Sequence, residues 1–298
     1  MTSVNRLEPD SSNRQDSSTS SAQATAFGQI SFINALPVVL PLLEGRVSVP
    51  ADLVFANPAQ LNQMLQQRQI QLGAMSSFYF LEDGGFELFR DISISGSGQV
   101  GSVLLFSKDE LRQLDGKVVT VPDSSATSIK LMQVLLLEEL GIEPVLRLDT
   151  SSGSALDDDE VRACLLIGDK ALAFDNDNSS KRFEKTDLAQ WWHRCFELPF
   201  VFGVWGARKE WVRENEALFK EISRSLAVAR DIGLNAMLDS VIAEAHKRTK
   251  LNHERLRSYF LEDLNYEFTE QHAQALALFD RLCKKNSLFL SSSFDKKI

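Results

Sequence analysis

Apolar residues along this chain follow two rhythms. Short dense runs read as strands: QISFI (29–33), ADLVFAN (51–57), IQLGAMSS (70–77), GSVLLFS (101–107), DGKVVTV (115–121), ACLLIGD (163–169) and LPFVFGVWG (198–206). Between them the apolar spacing is helical. A segment holding Pro37 and Pro41 predicts a helix that ends near Gly45. A second helix is capped by Asn57, takes Pro58 at its first position, and puts Leu61, Met64 and Leu65 on one face. A third has Asp123 or Ser124 as its cap, Ile129, Met132, Leu135 and Leu136 toward one face, and Gly141 as its stop. From about residue 208 to about 285 the pattern is helical and rich in charge.

Strands that alternate with helices predict an α/β fold with mostly parallel sheets. Residues 27–106 and 206–298 bracket a middle unit, 107–205. A chain that leaves one unit, builds a second and returns gives two lobes with a central cleft, and GSVLLFS and LPFVFGVWG are the natural crossings. Small ligands bind in such clefts. Ahead of all this, residues 1–26 hold seven serines, three threonines and no aromatic residue. That composition predicts a disordered extension without the apolar centre of a secretory signal, and leaves a targeting role open.

Composition narrows the function classes. The chain has 298 residues, 44% hydrophobic, with a net charge of −9. That is ample for a core and ill suited to nucleic acid, whose phosphates require a basic surface. No apolar stretch is long enough to span a membrane. Cys164, Cys195 and Cys283 are widely spaced and read as buried, reduced thiols. The histidines stand apart, so no metal site is expected, and no cofactor motif is present.

Candidate chemistry collects at strand ends: Asn34, Ser76 and Ser77, then Gly98, Gln99 and Ser102, then Ser125, Thr127 and Ser128 at a helix start, then Gly168 and Asp169. Helix N-termini offer unpaired N–H groups and suit an anion. Ser124 could equally be a mere cap, and Asp169 a turn residue. GSGQVGS lacks the Lys-Ser/Thr pair of a phosphate loop and runs into a strand, so it is neither a Walker loop nor a dinucleotide fingerprint. No serine sits in a nucleophile elbow. Trp191, Trp192 and Trp205 read as packing aromatics. The inventory is rich in donors and hydroxyls and nearly devoid of bases. An enzyme built this way works by positioning and electrostatic stabilisation, or borrows a base from its substrate.

ISFINALPV, GQVGSVLLFS, SSATSIKL, LLIGDKAL and LPFVFGVW, in this order, resemble the chorismate dehydratase family of the futalosine route to menaquinone, over roughly residues 28–270. The resemblance implies the two-lobed fold of type II periplasmic binding proteins, put to use in the cytoplasm without a cofactor. It implies that chorismate, a small dianion, loses water to give 3-[(1-carboxyvinyl)oxy]benzoate. Asn34 and Ser102 match the family's catalytic positions. Ser76, Ser77, Gly98, Gln99, Ser125, Thr127, Ser128 and Asp169 are then the expected substrate contacts. The expected partner is chorismate alone, with no nucleic acid and no membrane; a homodimer is left open. Three places depart from the family pattern: Gln99 for proline, Ala126 for a cation that Lys130 could replace, and Phe196-Glu197 for Thr-Gly. Competing readings are a solute-binding protein of the same fold and the sibling naphthoate-forming enzyme of the pathway, whose first-strand Pro-Asn-Asp run is missing here. A transcription factor's ligand-binding domain is a third, and no helix-turn-helix precedes this one.

Overall fold

The computed structural model describes residues 25–149 and 153–289. Residues 1–24 of the serine-rich extension lie outside the described residues, and Ala26 already opens the first strand. The strands in chain order are β1 (Ala26–Ile30), β2 (Asp52–Ala56), β3 (Leu72–Ser76), β4 (Phe86–Gly96), β5 (Val103–Ser107), β6 (Val118–Val121), β7 (Val145–Leu148), β8 (Val161–Ile167), β9 (Glu184–Asp187) and β10 (Phe200–Arg208). The helices are α1 (Leu36–Leu43), α2 (Pro58–Gln66), α3 (Ser77–Asp83), α4 (Ala126–Leu135), α5 (Gly168–Asn176), α6 (Leu188–Phe196), α7 (Lys209–Glu214), α8 (Glu216–Leu234), α9 (Leu238–Thr249), α10 (His253–Ser258) and α11 (Glu270–Lys285).

Two five-stranded sheets result, ordered β2-β1-β3-β10-β4 and β7-β6-β8-β5-β9. The α/β class holds, but the sheets are mixed rather than mostly parallel. Pairs β1–β2, β1–β3, β6–β7 and β6–β8 run parallel, and β10–β3, β10–β4, β5–β8 and β5–β9 run antiparallel. The antiparallel strands are the two that arrive from the other sheet: each enters its sheet against the local direction. They do not bridge the sheets themselves. β5 pairs only with β8 and β9, and β10 only with β3 and β4, so the chain crosses in residues 97–102 and 197–199. The boundaries expected at 106/107 and 205/206 fall inside β5 and β10. We keep the two-lobe division as a proposal, with its boundaries moved to those connections.

Strand alternation explains why the second sheet is covered on both faces. In β5, Val103 and Leu105 join the main core, and Leu104 and Phe106 join a smaller cluster with Leu156, Val161, Cys164, Leu166 and Ala171. The Trp191, Trp192 and Trp205 side chains are buried in the main core, as packing aromatics should be. α1 and α8 cross closely for a reason legible in two residues. Pro41 has no N–H, so the Pro37 carbonyl one turn earlier lacks its helical donor. Gly233 of α8 lies against that carbonyl, where a Cβ would collide with the Pro37 oxygen. Among the described residues no helix is long and apolar enough to cross a membrane.

Candidate active site

A cleft opens between the two sheets, enclosing a cavity of about 60 Å³. Its polar wall consists of Asn34, Ser76, Ser102, Ser125 and Ser128; Phe32, Met75, Ile94, Val103, Ile167, Phe202 and Leu264 supply much of the rest. Among the described residues, no lining side chain is ionisable. An anion placed here would meet neutral donors and backbone rather than a charged side chain.

Asn34 follows β1 in a 3-10 turn, Ile33–Ala35. Among the described residues nothing donates to its buried Oδ1, a costly state unless a donor is supplied. Ser102 stands at the entry to β5, and its carbonyl accepts the Gly168 N–H at 2.7 Å. That bond ties the entry of β5 to the exit of β8, where Gly168 turns the chain at φ +55°. The fully buried Tyr259 phenol lies beside Ser102. Burial pushes its pKa far up, and the Ser102 hydroxyl tempers the shift.

Ser125, not Asp123 or Ser124, caps α4. Its Oγ accepts the Ser128 N–H at 3.2 Å and donates to Ser128 Oγ at 3.0 Å. The helix thus presents two linked hydroxyls to the cavity. Ser76 caps α3, with its Oγ accepting the Tyr79 N–H at 3.3 Å and the Asn62 amide at 3.0 Å.

Five expected contacts lie off this wall. Ser77 is buried behind Ser76. Thr127 is buried too, and its Oγ1 accepts the Phe78 N–H at 2.9 Å, joining α3 to α4. Gly98 and Gln99 sit in the connection outside the cavity, with Gln99 exposed. The backbone groups that follow are already occupied: Val100 and Gly101 N–H both donate to Asp187 Oδ2, at 2.9 and 2.7 Å. The other Asp187 oxygen caps α6, accepting Ala189 and Gln190 N–H. Burial raises the Asp187 pKa, and these four N–H groups hold the rise back. Asp169 turns its carboxylate onto the Ile33 N–H at 3.2 Å. Burial raises its pKa as well, against the pull of that N–H and of the Arg248 charge.

The departures from the family pattern also miss the cavity. Lys130 lies over the Phe78 ring, 5.7 Å from its centroid, and Phe196 packs on Trp192 at 4.4 Å. Cys164 and Cys283 are buried, with their thiols pushed up to about 11 and about 12 by burial; Cys195 is only partly covered, contrary to expectation. Sequence reasoning missed Asp187, Phe32, Phe202 and Tyr259. Asp187 alone carried a signal, an Asp ahead of the amphipathic LAQWWHRCF run.

A family model described as menaquinone biosynthesis matches residues 25–285. A chorismate dehydratase of Thermus thermophilus is 32% identical over 241 residues, covering 76% of this chain and 84% of that protein. Among solved structures, a protein from Archaeoglobus fulgidus superposes with TM-score 0.71 at 20% identity, over 88% of this chain and 97% of its own. The periplasmic aliphatic sulphonate binding protein of Escherichia coli gives TM-score 0.63 at 14% identity, over 89% and 88%. The architecture is therefore periplasmic-binding-protein-like.

Proposed function

The chain belongs to the menaquinone-biosynthesis family, and from that premise we propose that it is a chorismate dehydratase, a carbon–oxygen lyase. The hydrogen at C3 of chorismate leaves with the C4 hydroxyl, one water departs, and the ring becomes aromatic in 3-[(1-carboxyvinyl)oxy]benzoate. Aromatisation supplies the driving force. The observation that carries the reading is a cavity lined by Asn34, Ser102 and the Ser125–Ser128 pair, with no ionisable side chain in its wall among the described residues.

Such a wall offers no protein base at the reacting carbon. The enolpyruvyl carboxylate of the substrate takes the C3 proton, and the protein orients the ring. The Asn34 amide and Ser102 hydroxyl bear on the leaving C4 oxygen and on charge that develops as the proton departs. The N-terminus of α4, with Ser125 and Ser128, holds a carboxylate by N–H groups and hydroxyls. Phe32 and Phe202 add apolar wall to the site.

The direct test is incubation of the protein with chorismate, followed by mass spectrometry for a product lighter by one water. Chorismate bound and unchanged after long incubation would instead make this a solute-binding protein of the same fold.

A further inference from the structure

The turn that carries Asn34 is capped from the other sheet. A 3-10 turn leaves its first N–H groups without internal partners. Here the preceding residue is Phe32, whose side chain has no acceptor, and no local side chain caps the turn. Its first N–H, that of Ile33, is taken by Asp169, 136 positions away in the chain. Asp169 stands in the first turn of α5, directly after β8 of the second sheet, whereas the Ile33–Ala35 turn leaves β1 of the first. One neighbour also packs across the junction, and another braces the turn from its own half of the fold. Phe32 packs over Gly168, its ring 3.4 Å from where a Cβ would stand. Arg248 of α9 donates to the Ser31 carbonyl at 3.0 Å and is itself held by Glu244.

We propose that Asp169 is a positioning residue. It reads the closed arrangement of the two sheets and, by capping the Ile33–Ala35 turn, aims the Asn34 amide into the cavity. The bond exists only while the sheets are together, so Asn34 is set for the reaction when the cleft is shut around a ligand. This assigns Asp169 a role other than direct substrate contact, and rests on the reading of Asn34 as a catalytic contact.

The test compares Asp169→Ala with Asp169→Asn, whose amide oxygen still accepts the Ile33 N–H. Hydrogen–deuterium exchange of peptides covering residues 31–36, with and without chorismate, is read beside kcat and KM. In the wild type, chorismate should slow exchange at this segment. Asp169→Ala should lose that protection and lower kcat about ten- to a hundred-fold, as expected for one bond to a charged group, with KM changed far less. Asp169→Asn should keep the protection and most of kcat. Protection unchanged in Asp169→Ala, or an Asn variant as impaired as the Ala variant, overturns the proposal. A wild type that shows the exchange pattern without turning chorismate over removes the dehydratase reading and leaves the capping role standing.

Discussion

The Gly101 backbone N–H lies 2.7 Å from the Asp187 carboxylate. A stretch that reads like a ligand-holding glycine loop is thus fastened to the protein's own anion. Gly101 sits at φ +66°, a backbone conformation that strains any residue with a side chain, and a Cβ there would also displace the Arg255 guanidinium. Ser102 follows directly, so the fastening sets the position of its hydroxyl.

Removing that anchor should cost both stability and turnover. Asp187→Ala abandons four accepted N–H groups, two of them a helix cap. We expect a loss of about 3 kcal/mol in urea unfolding, with kcat down about ten-fold as Ser102 loosens. A variant with full kcat would show that Ser102 is held by other means.

Asn34→Ala and Ser102→Ala should fold normally and lower kcat by about 10²- to 10³-fold each, the cost of losing one preorganised donor. Steady-state kinetics on chorismate, with circular dichroism to verify folding, checks this. Wild-type rates in both variants would remove these residues from the chemistry.

Thr127 separates packing from binding. Thr127→Val keeps the shape but leaves the buried Phe78 N–H without its acceptor. The expected result is a loss of about 1–3 kcal/mol in thermal or urea unfolding, with KM for chorismate unchanged. A raised KM without a stability loss would restore Thr127 to the substrate.

His272 gives the fold a pH dependence of definite sign. Its Nδ1 accepts the Thr269 N–H at 3.0 Å, so its ring proton sits on Nε2, facing Ser95 Oγ at 2.9 Å. Burial lowers its pKa below the ordinary 6.5, and a second ring proton would confront the Thr269 donor. Below that value the unfolded state binds more protons than the folded one. The contribution is complete above 6.5 and is lost as pH falls through the folded value. The melting temperature of the wild type should therefore drop faster than that of His272→Gln between about pH 7.5 and about pH 5.5. Parallel curves would contradict this.

What the sequence made legible followed from local chemistry. The Asn57 capping box with Pro58, the π-helical turn Leu136–Leu140 that carries α4 on to a stop at Gly141, and the strand runs are written in neighbouring residues. That Asn34, Ser76, Ser102, Ser125 and Ser128 would face one cleft was readable from their places at strand ends and at a helix start. Relations across the chain were not readable. Nothing near Thr127 announces Phe78, and nothing near Asp169 announces Ile33. FELFRDISISG escaped as a strand because Arg90 and Asp91 interrupt its apolar pattern, and both are exposed on an edge strand. β10 runs antiparallel for a topological reason that no periodicity records.

The strand order also dictates when each sheet can close during synthesis. β5 to β9 are contiguous in the chain, so the second sheet has all its strands once residue 187 has been made. The first cannot: β10 separates β3 from β4, and it arrives only with residues 200–208. Until then β3 and β4 flank a gap one strand wide, with open edges of the kind that other chains can pair with. The half of the protein translated first is the half that finishes last.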